Sequence, residues 1–272
     1  MAIISGSGSL PMILSQKMLQ ENVEHCIVFF TSFPPNWISG KLKIIKADIE
    51  KIGNLFTQLR SNNVDSVVFA GALDRPNLRL ENADDKFLTL ADVILPAMNG
   101  GDDQILSLIV KIFQDEGFNV LASEKIEPAL LVPAEVLTDR RPTIQDCEDI
   151  DRAKSIVNAI GLVDVGQACV VSRGLCLAVE TAQGTAQMLS FVKQTLNGKK
   201  IVEQAPSGVL FKGPKPNQNL LVDFPTIGPE TILQLVQARL NGVAISENGV
   251  FILDLDKTIS LANKNNLFLS VV

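Results

Sequence analysis

The chain has 272 residues, 46% hydrophobic and 20% charged, enough for one large domain or two modest ones with a full core. A net charge of -6 without a long Lys/Arg cluster argues against an electrostatic nucleic-acid binder, and no apolar run is long enough to span a bilayer. His25 is the only histidine and tyrosine is absent, which leaves no basis for chemistry built on a histidine dyad or triad.

The stretch Met1–Gly8 lacks a basic segment and reaches glycine too early for a signal peptide, so a cytoplasmic protein is expected. Ala2–Ser5 then reads as a strand, Pro11–Asn22 as a helix and His25–Phe30 as a second strand. Leu42–Lys46 is another short strand, Ile49–Asn62 a helix and Ser66–Ala70 a buried strand. Gly101–Glu116 is an amphipathic helix stopped at Gly117, and the strand Asn119–Ala122 follows. This alternation predicts parallel strands with crossover helices, an α/β, Rossmann-like N-terminal domain over residues 1–130.

Residues 131–146 contain Pro133, Pro142 and the charged turn Asp139-Arg140-Arg141, show no sustained period, and read as a linker. Residues 147–272 read as a mixed α+β C-terminal domain. Its predicted elements are a helix Asp149–Ile160, a hairpin of Gln167–Ser172 with Leu175–Glu180, and helices Thr185–Leu196 and Pro229–Leu240. A second hairpin is expected across Glu247-Asn248-Gly249, then a short helix and the strand Leu267–Val271. Cys26, Cys147, Cys169 and Cys176 have no CxxC spacing and read as small core residues rather than a disulfide or zinc site.

The most informative stretch runs from Gly208 to Pro229. Lys212 and Lys215 sit in a Pro/Gly-stiffened loop, and a predicted short strand, Leu220–Val222, delivers one acid, Asp223. Lysines hold anionic oxygens, while a lone carboxylate holds a metal or orients water. The same composition also suits a surface loop with solvated lysines. Gly6, Gly8 and Ser9 join the first strand to the first helix, whose free amides can face a phosphate. That loop lacks the third glycine of the dinucleotide fingerprint, and glycine there also serves packing. Arg75 follows the strand Ser66–Ala70, either as a phosphate or sugar clamp or as half of a solvated Asp74-Arg75 turn. Asp102 and Asp103 cap their helix, or reach a metal or substrate hydroxyls. Gln167, Glu180 and Thr185 lie at the ends of the first hairpin and can converge on one pocket; Thr185 equally caps its helix.

Together these segments resemble one family, the UDP-2,3-diacylglucosamine pyrophosphatases of lipid A biosynthesis, LpxI type. The likeness covers essentially the whole chain. It rests on the Gly-x-Gly-x-Leu-Pro start, Gly71–Pro76, Gly101-Asp102-Asp103, Asp164–Gln167, Gly184-Thr185, Lys212 through Lys215 and Asp223–Pro229. The resemblance implies a homodimeric hydrolase with a catalytic C-terminal domain and Mg2+ or another divalent cation. Its reaction would cut the diphosphate of UDP-2,3-diacylglucosamine to lipid X (2,3-diacylglucosamine 1-phosphate) and UMP. The family's catalytic aspartate aligns with Asp223, which would hold the metal, position water, or both. Lys212 and Lys215 would neutralise phosphate charge, and Gly6, Gly8, Ser9, Arg75, Asp102, Gln167, Thr185 and Thr226 would bind substrate. The acyl chains imply an apolar groove and transient contact with the surface of the inner membrane.

This chain departs from the family at one place. Gln183-Gly184-Thr185-Ala186 stands where members usually carry Glu-Gly-Thr-Asp, and Ser190 stands where a basic residue is usual. The intact Asp223 loop favours retained hydrolysis; the alternative is a weakened or inactive binding protein for a nucleotide-sugar lipid. An oxidoreductase using the N-terminal glycines is disfavoured by the missing third glycine and the lack of histidine or tyrosine proton donors.

Overall fold

Runs of aliphatic residues buried on both faces build the centre of the first sheet, as expected for parallel strands covered by helices. In this computed structural model, β1 (Ala2–Ser5) and β2 (Cys26–Phe30) are buried along almost their whole length. They pair in parallel with β3 (Lys43–Ala47), β4 (Ser66–Ala70) and β5 (Asn119–Leu121) in the order β3-β2-β1-β4-β5. Helices α1 (Leu10–Gln20), α2 (Ile52–Ser61), α3 (Asp85–Met98) and α4 (Asp102–Asp115) complete this unit. Phe56 and Phe113 meet edge to face at 5.1 Å in its core. The strand order reverses at β1/β4, the switch point beside which sheets of this kind place ligands. The Rossmann-like α/β expectation holds.

The structure describes residues 1–35, 37–38, 42–73, 76–100, 102–198, 208–216 and 218–272, with the side chains of 102 and 196–198 excepted. These form two compact units, one of Met1–Pro128 with Asn219–Asp223, the other of Ala129–Gln218 with Phe224–Val272.

The second unit contains α5 (Ile144–Gly161), β6 (Ala168–Ser172), β7 (Leu175–Val179), α6 (Gly184–Gly198) and β8 (Val209–Lys212). It continues with β9 (Thr226–Ile227), α7 (Pro229–Gln237), β10 (Gly242–Ile245), β11 (Phe251–Ile252), α8 (Leu255–Lys264) and β12 (Phe268–Val271). Its main sheet has the order β12-β10-β8-β6-β7; β8, β10 and β12 are parallel, while β6 runs antiparallel to both β8 and β7. Leu189, Val192, Ile232, Leu235 and Ala262, from α6, α7 and α8, pack on one face, and α5 covers the other with Ile150, Ala153 and Val157. A capping box of Thr143 and Asp146 starts α5, worth about 1 kcal/mol. Buried Asp149 accepts from the amides of Arg173 and Gly174 at 2.8 and 2.7 Å, which fixes the β6–β7 turn. Residues of the 131–146 stretch are tied to this unit, with Leu137 donating to the Leu269 carbonyl at 2.9 Å.

Several expectations are corrected. The hairpin across Asn248-Gly249 does not form. Its turn exists, with Asn248 at φ 54°, but β8 and β12 occupy both edges of β10, so β11 pairs in parallel with β9 instead. Leu220–Val222 is a turn rather than a strand: Asn219 accepts from the amides of Leu221, Val222 and Asp223 through its side chain and carbonyl. Lys212 is the last residue of β8 rather than a loop residue, because Val209–Phe211 are paired on both sides. Helix α3 lies outside the elements predicted from sequence. Phe87, Ile94 and Ala97 make its buried stripe, but exposed Leu88, Val93 and Leu95 blur the period and Pro96 falls inside it. Of the cysteines, Cys26 and Cys169 are core residues, whereas Cys147 and Cys176 are exposed, Cys176 lying on edge strand β7. Among the described residues no helix is long and apolar enough to cross a membrane.

Candidate functional site

The second unit gathers polar side chains at one end of its main sheet. Register places Ala168 of β6 opposite Lys212 of β8 and next to the Cys169–Val179 pair, and the Glu180 amide donates to the Ala168 carbonyl at 2.8 Å. Glu180, Ala168 and Lys212 therefore stand in one row across three strands. Opposite residues of antiparallel strands share a face, and here it is the face covered by α6.

Lys212 is 7% exposed, a depth at which an ammonium needs partners. Its Nζ donates to Thr185 Oγ1 at 2.8 Å, at the start of α6. Among the described residues no carboxylate forms an ion pair with it. A helix N-terminus, a hydroxyl and a buried ammonium together present an electropositive end of the sheet. Lys215 differs. Its ammonium meets Asp164 Oδ1 at 2.5 Å, its side chain 9% exposed against 29% for the acid. Gln218 Oε1 accepts from the Lys215 amide at 2.9 Å, and the loop packs on Gly161, where a Cβ would lie 2.9 Å from Pro216.

Two acceptors complete the group. Glu180 is 7% exposed, and its Oε2, like Gln167 Oε1, is buried without a hydrogen-bond partner. The Gln167 carbonyl accepts from the Gly213 amide at 3.0 Å, which holds its segment to the loop after β8. Gly166 is pressed against the next strand: an added Cβ would come within 2.1 Å of the Glu180 carbonyl.

In the first unit, the β1 and β4 loops are clasped at the switch point. Gly6 and Ser7 amides donate to the carbonyls of Ala70 and Ala72, each at 2.7 Å, and a Cβ on Gly6 would meet the Ala72 carbonyl at 2.4 Å. Gly6 thus serves close backbone approach, while Gly8, at φ 89°, faces open space. Ser9 precedes α1 without a side-chain cap bond. A cavity of about 580 Å³ lies at the C-terminal ends of β2 and β3, lined by Ser32, Asp48, Glu50, Lys51 and Arg79 among others. Its mixed charges suit a hydroxyl-bearing ligand better than a bare anion.

Residues 1–130 match the LpxI N-terminal domain and residues 133–270 the LpxI C-terminal domain. A UDP-2,3-diacylglucosamine pyrophosphatase LpxI from Caulobacter vibrioides is 30% identical over 268 residues, covering 98% of this chain and 95% of its own. The chain belongs to the LpxI family.

Against this family frame, the structure brings together Lys212, Thr185 and the Glu180 row, with Gln167 held beside it. It pairs Lys215 with Asp164, 51 positions away in the chain. Glu180 emerges with stronger support than its neighbours; its place as the last residue of a predicted strand is the signal. Thr226 sits in the separate β9–β11 ladder. Asp223 belongs to the first unit with its Asn219 turn and is partly buried, neither sealed in the core nor fully exposed. Arg75 and the Asp102 side chain lie outside the described residues. His25 is held by Ser15 Oγ at 2.8 Å on Nε2 and the Val23 carbonyl at 3.0 Å on Nδ1, a structural role.

Proposed function

We propose that this protein hydrolyses the diphosphate of UDP-2,3-diacylglucosamine, releasing UMP and lipid X. The observation that carries the reading is Lys212, a buried ammonium facing a helix start with a hydroxyl and, among the described residues, no carboxylate paired with it. Such a cation lacks compensation until an anion arrives, and a phosphoryl group supplies one. The Caulobacter relative's activity fits the same chemistry.

Diphosphate hydrolysis requires neutralised non-bridging oxygens, an oriented water and a stabilised leaving phosphate. Lys212 and Thr185 bind and orient phosphoryl oxygens. Lys215, compensated by Asp164, fixes the loop after β8 rather than bringing a second unpaired charge. Asp223 takes the water's proton or orients the water, as a carboxylate at a turn can. Gly6, Gly8, Ser9, Arg75, Asp102, Gln167 and Thr226 complete substrate binding in this reading.

Among the described residues no group of three His, Cys, Asp or Glu side chains could cage a metal. Magnesium fits nonetheless, since it keeps several waters and needs only one or two carboxylates; Asp223 would hold it. When bound, the ion would supply charge neutralisation at the diphosphate. The acyl chains require apolar surface, and the exposed Leu88 and Val93 of α3 and Phe191 of α6 offer some. We extend the proposal to a cytoplasmic homodimer that touches the inner membrane transiently.

The test is UMP release from UDP-2,3-diacylglucosamine with magnesium. Wild-type protein should release UMP, and Asp223→Ala should abolish release while still binding substrate. No release across several divalent ions overturns the reading.

A further inference from the structure

The Glu180–Ala168–Lys212 row holds more than a phosphate needs. Lys212, Thr185 and the first amides of α6 are donors and suit an anion. Glu180 Oε2 is an acceptor, buried without a partner, and it would repel that anion. Buried polar atoms are paired in the great majority of cases, so an orphaned carboxylate oxygen in this row needs a cause. Gly166 lets the neighbouring backbone lie directly against Glu180. A bare cation would answer the carboxylate, yet it would share the row with the Lys212 ammonium, about 9.5 Å away between backbones at two strand spacings. A single ligand carrying an anionic group and nearby O–H or N–H donors answers both halves.

We propose that Glu180 accepts hydrogen bonds from the hydroxyl or N–H donors of a phosphate monoester whose phosphate is held by Lys212. Such a group is found in a sugar phosphate and in a nucleoside monophosphate. The assignment rests on the hydrolase reading and names the part of the substrate this end of the sheet holds. Glu180 is then a positioning residue that separates a hydroxylated phosphate from a plain one, and the small Ala168 between it and Lys212 puts no polar group in the way.

The test is calorimetric binding of glucosamine 1-phosphate, UMP and inorganic phosphate, and separately of Mn2+ alone, to wild-type, Glu180→Gln and Glu180→Ala proteins. Glu180→Gln keeps the side-chain volume, and thermal unfolding checks that both variants are folded. Wild type should prefer one organic phosphate over inorganic phosphate by about tenfold or more, the range of a hydrogen bond to a charged group. Both variants should lose that preference without weaker binding of inorganic phosphate. Which organic phosphate is preferred assigns the sugar or the nucleoside end. A preference unchanged in both variants overturns the proposal, as does Mn2+ binding that depends on Glu180 without phosphate. UMP release on the same preparations separates the two claims. Hydrolysis with a Glu180-independent preference removes only the Glu180 assignment; a Glu180-dependent preference without hydrolysis removes the enzyme reading and leaves the subsite.

Discussion

Replacing Lys212 by Met should cost function and spare, or raise, stability. The ammonium is 7% exposed and donates to one hydroxyl at 2.8 Å, so in the free protein most of its lost hydration is unreturned. Exchanging a poorly compensated buried charge for an apolar side chain of similar length is neutral or stabilising, here by up to about 2 kcal/mol. For a chain of this size each kcal/mol corresponds to a shift of roughly 2–4 °C in Tm. Thr185 loses its partner, but it is only half-buried and can turn to water. Phosphate binding should fall by about 10- to 150-fold, the equivalent of one charged hydrogen bond of about 1.5–3 kcal/mol. Differential scanning calorimetry and phosphate titration on the same sample measure both effects. A lower Tm with unchanged phosphate affinity would refute the reasoning, since it would make Lys212 a structural residue.

Lys215→Met should behave oppositely: it strands Asp164, 29% exposed, and should destabilise by about 1–3 kcal/mol in denaturant titration, less than a fully buried pair because water reaches the acid. Adding Asp164→Asn should return part of that loss; a double variant no more stable than the single one would contradict the pairing. Burial pushes the Cys169 thiol up to about 12 and also raises Cys26, so a thiol reagent near neutral pH should label Cys147 and Cys176 quickly and leave the other two until unfolding. Rapid labelling of four thiols in native protein would count against the burial described. Gln183→Glu with Ala186→Asp, both at exposed positions near the start of α6, should change turnover by less than about tenfold if the existing residues suffice. Activity appearing only in that double variant would favour the inactive-binder alternative.

The first unit was largely legible because its strands obey one simple rule. Ala2–Ser5 and Ser66–Ala70 are short buried aliphatic runs followed by helices, and that alternation specifies a parallel sheet without knowledge of long-range partners. What failed depended on such partners. Asn248-Gly249 has the chemistry of a hairpin turn, but whether two strands pair depends on which edges are free, and β10 has none. Leu220–Val222 is apolar enough for a strand, yet Asn219 captures its amides first. The candidate site divides the same way. Lys212, Lys215 and Gln167 were visible as residue types in a stiff loop and at a hairpin end. The pairing of Lys215 with Asp164 spans 51 positions, and the Glu180–Lys212 row arises from register, neither of which local pattern encodes.

The central claim is that this chain cleaves a diphosphate using Asp223. Phosphorus NMR of UDP-2,3-diacylglucosamine incubated with the protein and magnesium addresses it most directly. The account requires the paired diphosphate resonances to give way to two monoester signals in equal amounts, UMP and a diacylglucosamine phosphate, with Asp223→Ala leaving the spectrum unchanged. Persistence of the diphosphate signals with wild-type protein, or equal conversion by the variant, would contradict it.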